Sequence, residues 1–524
     1  MSRPHILVTE KLGPKGLEYL RQYADVDAHD LLPPDELPAL MDQYDAVIIR
    51  SAHRLTRELL QGHNRLKVVA RAGAGVDNVD LEAATEFGIA VINAPGANAI
   101  AAAEHTFGLL LAVIRNIVAG DAHVRSGGWD RAAFLGQELY EKRLGIIGLG
   151  RVGRQVSRIA HGFRMPVSAY DPFLSADIFE AHDVRQFTRL EDLVAESDIL
   201  TIHTPKSGPH LDEALLRRLP KGAIVMNVAR GGLIDEEALA RLLDEGHLAG
   251  AGIDVFSHEP PDLNWPLMKR AHVVTTPHLG GSTHEAMVGV GIMTARGVLD
   301  ALNNQTPPNL VNVPIPDVPE QNLKRLDRAV RILGTIFSRL NPQVASPVVL
   351  SLSRAMASSV RPWLRQAALA AFLQDRVDER VNTVNALLVA QRQGITLLVE
   401  ADHQSDDDPR ISLRVEGRNE TEVEVSVTEA DVVVKKIAGI PVNIPWPERA
   451  LVTRHHDAPG VVGRVGTLVG QYGINIGQLH LGRRGPQGEA LMILTLDTDP
   501  PQQLLDDVVQ LPDIQEVHVF TQLF

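Results

Sequence analysis

Three side chains with complementary chemistry follow apolar runs in the middle of the sequence: Arg230, Glu259 and His278. An imidazole titrates near neutral pH, so His278 can take a proton from a hydroxyl group and return it. Glu259 can bind the opposite ring nitrogen, which fixes the tautomer and stabilises the protonated ring. The planar guanidinium of Arg230 suits a carboxylate beside the reacting carbon. The set predicts oxidation of a secondary alcohol next to a carboxylate.

Such a reaction needs a hydride acceptor, and the stretch 144–171 predicts one. Gly148, Gly150 and Gly153 form a G-x-G-x-x-G pattern between an apolar run and an amphipathic run. The pattern provides a tight turn, a close backbone approach to a pyrophosphate and close helix–strand packing. Asp171 ends the next apolar run, where a carboxylate binds both ribose hydroxyls and repels a 2′-phosphate. The stretch predicts a dinucleotide site that favours NAD over NADP, although a flavin dinucleotide would use the same frame.

Alternating strands and helices must position these groups. After the G-x-G-x-x-G pattern at 148–153, which we call the fingerprint, strands are predicted at 198–203, 223–228, 250–255 and 272–275, each followed by a polar loop. Ligands bind outside the carboxyl ends of parallel strands, so we expect the chemistry in these loops, and Asp254 ends one strand where it can accept from a nicotinamide carboxamide. Residues 5–95 show the same alternation without a fingerprint, with strands predicted at 5–9, 45–50, 67–71 and 89–93. Residues 98–124 are predicted to form one long helix.

Proline-rich segments at 307–319 and 445–447 predict two further domain boundaries. Between them we expect helices at 322–340, 361–373 and 384–392 and strands at 410–416 and 422–428. Residues 448–524 follow the order β-α-β-β-α-β of a ferredoxin-like domain. The predicted fold class is α/β: two doubly wound, Rossmann- and flavodoxin-like parallel-sheet domains, an α+β regulatory domain and a small βαββαβ domain.

Composition excludes several classes of function. The 524 residues carry 51 basic and 65 acidic side chains, a formal net charge of −14, which argues against a nucleic-acid binder. The absence of cysteine excludes disulfides, thiolate metal sites and cysteine nucleophiles. No metal site is predicted, because the acidic run 406–408 lacks the spacing of a calcium loop. With no signal peptide and no apolar run of about 18 residues, we expect a cytoplasmic protein without a membrane partner.

Several motifs carry a resemblance to a known family. They are the run 73–80 (GAGVDNVD), the fingerprint, the run 229–232 (ARGG), the run 254–256 (DVF), the run 259–261 (EPP) and the run 277–280 (PHLG). Over its whole length the chain resembles the D-isomer-specific 2-hydroxyacid dehydrogenases, and among them the long phosphoglycerate dehydrogenases. The resemblance implies NAD-dependent oxidation of 3-phospho-D-glycerate to 3-phosphohydroxypyruvate, the first step of L-serine biosynthesis.

The resemblance also implies roles for individual residues. Arg230, Glu259 and His278 are the expected catalytic set. The expected NAD contacts are Gly148, Gly150, Arg151, Val152, Gly153, Asp171, Thr204, Val228, Ala229, Arg230, Asp254, His278, Leu279, Gly280 and Gly281. The expected substrate contacts are Arg50 and Arg71, which each end a strand of the first unit, and Arg131, which resembles a residue that reaches a neighbouring subunit's substrate.

The domain organisation follows from the same resemblance. A discontinuous substrate domain spans 1–95 and 285–312, an NAD domain 96–284, an intervening regulatory domain 313–446 and an ACT domain, an amino-acid-sensing module, 447–524. The ACT domain resembles its relatives at 455–460 and 473–476, which implies feedback by serine bound through Asp457 and Asn475. The implied assembly is a homo-oligomer, a dimer or a tetramer.

Two alternatives stay open. The first is a dehydrogenase for another 2-hydroxyacid, such as 2-hydroxyglutarate or glycerate, which would not need extra cations such as Arg50 and Arg71. The second is an NAD-sensing regulator without catalysis, which would not need Arg230, Glu259 and His278 together.

Overall fold

The computed structural model describes residues 3–262, 264–270, 272–342, 347–354, 356, 358–402, 409–428 and 431–521, so the acidic run 406–408 lies outside the described residues. Four β-sheets organise these residues. The two N-terminal sheets are entirely parallel, the third is mixed and the fourth is antiparallel, which confirms the predicted fold class.

The first sheet has five parallel strands in the order β2-β1-β3-β4-β5. Its strands and helices are β1 (His5–Val8), α1 (Pro14–Tyr23), β2 (Asp25–Ala28), α2 (Leu37–Leu40), β3 (Ala46–Ile49), α3 (Arg57–Leu60), β4 (Val68–Arg71), α4 (Leu81–Glu86) and β5 (Ala90–Ile92). The edge strand β2 was not predicted, because Val26 between Asp25 and Asp27 makes no apolar run.

The second sheet has seven parallel strands in the order β12-β11-β10-β9-β6-β7-β8. Its elements are β6 (Leu144–Ile147), α7 (Arg151–Gly162), β7 (Val167–Tyr170), α8 (Ala176–Ala181), β8 (Arg185–Gln186), α9 (Leu190–Ala195), β9 (Ile199–Ile202), α10 (Glu213–Leu216), β10 (Ala223–Asn227), α11 (Glu236–Asp244), β11 (Leu248–Ile253) and β12 (Val273–Thr275). The chain order reverses between β6 and β9, which makes the carboxyl end of β6 the switch point where ligands bind.

The long helix expected at 98–124 is wrong in one respect, because two helices form there. These are α5 (Ala99–Ile114) and α6 (Ile117–Arg125), bent by 61° at the break between them. Asn116 adopts a left-handed conformation with φ of 53°, which interrupts the helical path. No single helix among the described residues is long and apolar enough to cross a membrane, and only this bent pair passes the same test jointly.

Helix α12 (His284–Leu302) returns the chain to the first sheet and packs along α1. The chain then runs beside β5, where Ile92 and Leu310 form an isolated bridge. The amide of Asn312 anchors this return, because its oxygen accepts from Val91 N at 3.0 Å. The chain segments before and after the second sheet therefore pack together around the first sheet. We propose the division into domains on this basis.

The third sheet has the order β14-β13-β15-β16-β17-β18, and only β13 and β14 pair in parallel. Its unit comprises α13 (Glu320–Leu340), β13 (Val348–Ser353), α14 (Arg361–Leu373), α15 (Ala386–Arg392), β14 (Leu397–Asp402), β15 (Arg410–Val415), β16 (Arg418–Val427), β17 (Val432–Ile437) and β18 (Ile440–Pro445). Short 3-10 helices lie at Met41–Gln43, Ala132–Phe134, Pro266–Lys269 and Ser358–Val360.

The fourth sheet has the antiparallel order β20-β21-β19-β22. Its elements are β19 (Arg449–His456), α16 (Val461–Gln471), β20 (Ile476–Arg483), β21 (Glu489–Leu496), α17 (Gln502–Val509) and β22 (Ile514–Thr521), in the predicted order. The sequence predicts both strand–helix–strand units, because each of the two helices has one apolar face.

One apolar core joins the first, third and fourth sheets, whereas the second sheet has cores of its own. The third unit docks below the first sheet: Arg380 donates to the carbonyls of Asn64 and Leu66, and Asn382 Nδ2 donates to Gly88 O at 2.7 Å. These carbonyls precede β4 and β5, so the docking surface lies at the end of the sheet opposite to Arg71.

Candidate active site

His278 and Glu259 form a hydrogen-bonded pair at the carboxyl edge of the second sheet. His278 follows β12 and Glu259 follows β11, and these strands pair in parallel, so their ends are neighbours. His278 Nδ1 lies 2.9 Å from Glu259 Oε2, and Glu259 Oε1 accepts from Phe256 N at 3.1 Å. A proton on Nδ1 satisfies the carboxylate and leaves the lone pair on Nε2 of His278 available as a base.

Asp254 anchors the loop that carries His278. Its side chain has no exposed surface, and its carboxylate accepts from Thr276 Oγ1 at 2.6 Å, Leu279 N at 2.7 Å and Gly280 N at 2.8 Å. His105 Nε2, on α5, lies 3.2 Å from Asp254 Oδ1. Burial raises the pKa of Asp254, but the hydrogen bonds from His105 and Thr276 and from the backbone outweigh it, and the net pKa is lowered.

Arg230 lies between the first and second sheets. Its Nη1 donates to Ala229 O at 2.8 Å, and its Nε donates to Asp77 Oδ2 at 3.1 Å, on the loop after β4. The turn that presents Arg230 is held by Asn227, whose amide accepts from Ala229 N at 3.1 Å and donates to Arg230 O at 2.9 Å. These contacts hold a cation where the two sheets meet.

Arg50 and Arg71 extend this positive cluster. Arg50 follows β3 and Arg71 is the last residue of β4, and Arg71 Nε is buried without a hydrogen-bond partner. Burial lowers the pKa of the Arg71 guanidinium, Arg230 and Arg50 lower it further, and Asp77 partly opposes them. Arg71 therefore lies near two other guanidinium groups, and this positive charge, with one unpaired buried N–H, suits an anion with several oxygens.

Glu10 and His53 hold the loop that carries Arg50. The Glu10 carboxylate accepts from the backbone N–H of Arg50 at 2.8 Å and of Ser51 and Ala52 at 3.1 Å. His53 Nδ1 lies 3.2 Å from Glu10 Oε1, in a buried position. Burial raises the pKa of Glu10, but the hydrogen bonds from this loop and from His53 outweigh it and lower the net pKa.

The fingerprint turn has the space that a dinucleotide requires. Gly148 adopts φ of 91°, and a Cβ on Gly153 would lie 2.2 Å from Gly148 O, so both glycines are required by the chain itself. A Cβ on Gly150 would meet nothing within 4 Å, which leaves open space before α7. Asp171 accepts from Leu149 N at 3.0 Å and from Phe173 N at 3.1 Å, and so stands beside the turn. The residues fit a pyrophosphate at the N-terminus of α7 and a ribose at Asp171.

Of the other expected cofactor contacts, Thr204 lies beside this turn, since a Cβ on Gly148 would meet its side chain at 2.8 Å. Thr204 Oγ1 is buried without a partner, a polar atom that a bound ligand would satisfy. Burial lowers the pKa of the adjacent His203 to about 4, so this imidazole is neutral at pH 7. Gly280 packs against Val228, so the loops after β10 and β12 meet there, with Ala229 next in the chain, whereas Gly281 lies against Asn98. Val152 packs against the core at the start of α7, and Leu279 is exposed. The side chain of Arg151 lies against Gly96 instead, at the crossing between the sheets.

Three expected residues are not joined to this cluster by a described contact. Arg131 lies in an exposed segment between Trp129 and Leu135, whose side chains are 81% and 87% exposed. Asp457 precedes α16 and lies 3.4 Å from Arg483, while Asn475 follows α16 and donates to Asp497 at 2.8 Å. Because α16 has 11 residues, Asp457 and Asn475 are separated by about 16 Å of helix. One chain does not bring them together.

Sequence reasoning missed the residues that hold the cluster in place. Asp77 lies inside the motif 73–80, and a carboxylate two residues after Gly75 was a signal that the sequence offered, whereas Asn227 lies two residues before the motif 229–232. His105 gave no signal, because nothing in an apolar helix indicates a partner 149 positions away in the chain. Among the described residues, no group of three or more His, Asp or Glu side chains is arranged to hold a metal ion.

Comparisons with known proteins agree on the same family. The NAD-binding domain model of the D-isomer specific 2-hydroxyacid dehydrogenases matches residues 107–280, and the ACT domain model matches residues 449–513. The D-3-phosphoglycerate dehydrogenase of Methanocaldococcus jannaschii is 35% identical over 98% of this chain and 99% of its own. That of Synechocystis sp. is 34% identical over 98% of this chain and 94% of its own. The crystal structure of the TT0316 protein from Thermus thermophilus covers 59% of this chain and 99% of that protein, with 35% identity and a TM-score of 0.55.

Proposed function

The chain belongs to the D-3-phosphoglycerate dehydrogenases, within the D-isomer-specific 2-hydroxyacid dehydrogenases, and we propose that its interdomain cleft performs the reaction of that family. The protein is an NAD-dependent oxidoreductase that converts 3-phospho-D-glycerate to 3-phosphohydroxypyruvate at the start of L-serine biosynthesis. The observation that carries the assignment of residues is the His278–Glu259 pair at 2.9 Å, on the sheet that also presents Arg230, whose charge acts on Arg71.

The chain's own groups supply orientation and proton transfer. Arg230 binds the C1 carboxylate through its terminal nitrogens, and Arg50 and Arg71 bind the phosphate. His278 Nε2 removes the proton from the C2 hydroxyl, while Glu259 stabilises the imidazolium through Nδ1. Bound NAD would supply the acceptor for the hydride from C2. Gly150, Asp171 and Thr204 would hold it, and Asp254 keeps the His278 loop against the cofactor side of the sheet.

The substrate assignment is tested by steady-state formation of NADH. We expect turnover with 3-phospho-D-glycerate to exceed that with D-glycerate, D-lactate and 2-hydroxyglutarate by at least about 100-fold in kcat/KM. A matched test uses D-glycerate with added inorganic phosphate, which separates binding of the phosphate group from general activation by anions. Equal kcat/KM for phosphorylated and unphosphorylated acids would contradict the assignment.

A second candidate substrate is 2-hydroxyglutarate. Its distal carboxylate offers the oxygen fork that a guanidinium binds bidentately, so the unpaired N–H of Arg71 suits it as well as a phosphate. The substrate panel distinguishes the two acids directly. A regulator without catalysis is disfavoured by the His278–Glu259 pair, because binding NAD alone requires no base.

We propose that L-serine binds the ACT domain between two chains. Asp457 suits the ammonium group and Asn475 the polar end of an amino acid, and their separation by the length of α16 requires two copies to complete one site. Exposed Leu479 and Leu481 on the edge strand β20 support an assembly of this kind, a dimer or a tetramer. The predicted cytoplasmic location stays a prediction.

Titration of the full-length enzyme with L-serine by calorimetry tests the sensor. We expect L-serine to bind more tightly than L-alanine and to lower kcat, and we expect Asp457→Ala to abolish both effects. Sedimentation measures the assembly in the same samples. Equal binding of serine and alanine would contradict the proposal.

A further inference from the structure

Asp77 and Arg230 form an ion pair between the two parallel-sheet units. Asp77 belongs to the loop after β4 in the first unit, and Arg230 follows β10 in the second. Arg230 Nε donates to Asp77 Oδ2 at 3.1 Å, with the two side chains 29% and 52% exposed. The ion pair can form only when the two units are this close, so it depends on the position of one unit relative to the other.

The guanidinium of Arg230 packs closely against the same loop. A Cβ on Gly75 would lie 2.1 Å from Arg230 Nη2 and 2.8 Å from Asp77 Oδ2, so only glycine admits this arrangement. The loop itself is held, because Asn93 Nδ2 donates to Ala74 O at 2.7 Å. The guanidinium is therefore held against a backbone loop that is itself anchored by a hydrogen bond.

The distribution of donors on Arg230 leaves one edge available. Nε is taken by Asp77, and one N–H of Nη1 is taken by Ala229 O at 2.8 Å. The second N–H of Nη1 and the N–H groups of Nη2 form the terminal edge, which matches the two oxygens of a carboxylate. An acceptor on Nε thus turns that edge toward a ligand without occupying it.

We propose that Asp77 is a positioning residue that orients Arg230 for the substrate carboxylate when the two units meet. The inference rests on the proposed function only in naming Arg230 as the carboxylate-binding group. Asp77 acts through Arg230 and does not touch the reacting atoms. Its substitution changes carboxylate binding more than phosphate binding, because Asp77 accepts a direct hydrogen bond from Arg230. Asp77 acts on Arg71 only through its charge, and the loop of Arg50 is held by Glu10.

The experiment measures two ligands on the NADH-loaded, full-length enzyme by calorimetry. Oxamate carries a carboxylate and no phosphate, and inorganic phosphate carries no carboxylate. We expect Asp77→Ala to weaken oxamate binding about tenfold, as loss of one oriented charge-assisted contact does, and to change phosphate binding less than twofold. Asp77→Asn keeps an acceptor for Nε, so we expect it to restore oxamate binding to within threefold of the wild type. Asp35→Ala, an exposed carboxylate of the same unit, is the matched control.

The kinetic counterpart is a rise of about tenfold in KM for the hydroxyacid with Asp77→Ala, larger than the fall in kcat. Unchanged oxamate binding, an equal loss of oxamate and phosphate binding, or an Asp77→Asn variant as weak as Asp77→Ala would each overturn the proposal. If the wild type fails to oxidise 3-phospho-D-glycerate, the proposed substrate is wrong, whereas the oxamate comparison still decides the role of Asp77.

Discussion

The hydroxyl of Thr276 donates a 2.6 Å hydrogen bond to the carboxylate of Asp254, which has no exposed surface. Thr276 lies two residues before His278, and the same carboxylate accepts from the backbone after it, at Leu279 and Gly280. Asp254 therefore holds the loop on both sides of His278 by hydrogen bonds. The base of the reaction is positioned by a buried charge that the substrate does not need to touch.

Loss of these hydrogen bonds to Asp254 is expected to lower catalytic activity by more than the accompanying loss of stability explains. Asp254→Asn replaces one acceptor by an N–H group that faces other donors, so we expect kcat/KM to fall at least 100-fold. Thr276→Val removes a hydroxyl that donates to Asp254 and lies 2.9 Å from His105 Nε2. We expect a loss of about 1–2 kcal/mol in the free energy of unfolding and about tenfold in kcat. Chemical unfolding and steady-state kinetics measure both. A Thr276→Val enzyme with wild-type kcat would show that the hydrogen bond from Thr276 to Asp254 is not needed for catalysis.

The lowered pKa of Asp254 gives its contribution to stability a defined pH dependence. A carboxyl whose pKa is depressed in the folded state stabilises the fold above its unfolded pKa, about 3.9, and this stability is lost as pH falls through the folded pKa. We expect the difference in unfolding free energy between wild type and Asp254→Asn to be constant above about pH 5 and to shrink below about pH 4. Urea unfolding at a series of pH values tests this, and a difference that grows on acidification would contradict it.

Two glycines of the fingerprint should separate stability from cofactor binding. A Cβ on Gly150 meets no atom of the chain, so Gly150→Ala should cost about 1 kcal/mol or less in stability and raise KM for NAD at least tenfold. A Cβ on Gly153 clashes with Gly148 O at 2.2 Å, so Gly153→Ala should destabilise the fold by about 2–3 kcal/mol. Thermal unfolding and NAD titration provide the two readouts. Equal effects on both readouts for the two variants would rule out this division.

The proton-transfer assignment predicts unequal losses in the catalytic pair. His278→Ala removes the base, and we expect kcat to fall about 10³-fold with KM for NAD unchanged. Glu259→Gln keeps a hydrogen bond to Nδ1 but no charge, so a smaller fall, about 10–100-fold, is expected. Pre-steady-state formation of NADH separates this step from product release. Wild-type turnover by His278→Ala would remove His278 from the mechanism.

The arginine cluster predicts a substrate-dependent loss. Arg71 is buried with an unpaired Nε, so Arg71→Ala should raise KM for 3-phospho-D-glycerate at least 50-fold. Unphosphorylated hydroxyacids should change less than threefold, because their carboxylate is held by Arg230. Arg71→Lys retains charge without the planar fork and should fall between the two. A similar loss for both classes of acid would indicate that Arg71 supports the fold and not the phosphate.

Local patterns were sufficient for much of this protein. The fold class, the NAD cofactor and the ferredoxin-like tail followed from periodicity and short motifs and are confirmed, because strands, glycine turns and helix faces are decided within about ten residues of the chain. Strand β2, whose polar residues make no apolar run, and the break at Asn116 inside an apolar stretch were missed for the same reason. The roles of the catalytic, substrate and serine residues stay predictions.

Tertiary structure alone decided which groups meet. Asp77 and Arg230 are 153 positions apart, and their ion pair depends on the placement of one sheet against another. His105 reaches Asp254 because α5 packs beside β11, a contact set by burial of apolar faces that have no sequence code for a partner. The same holds for the separation of Asp457 from Asn475 along α16. The types and spacings of residues in the sequence identify the chemical groups of this enzyme. Tertiary packing between segments far apart in the chain sets the distances between these groups, because that packing is not encoded by any local pattern.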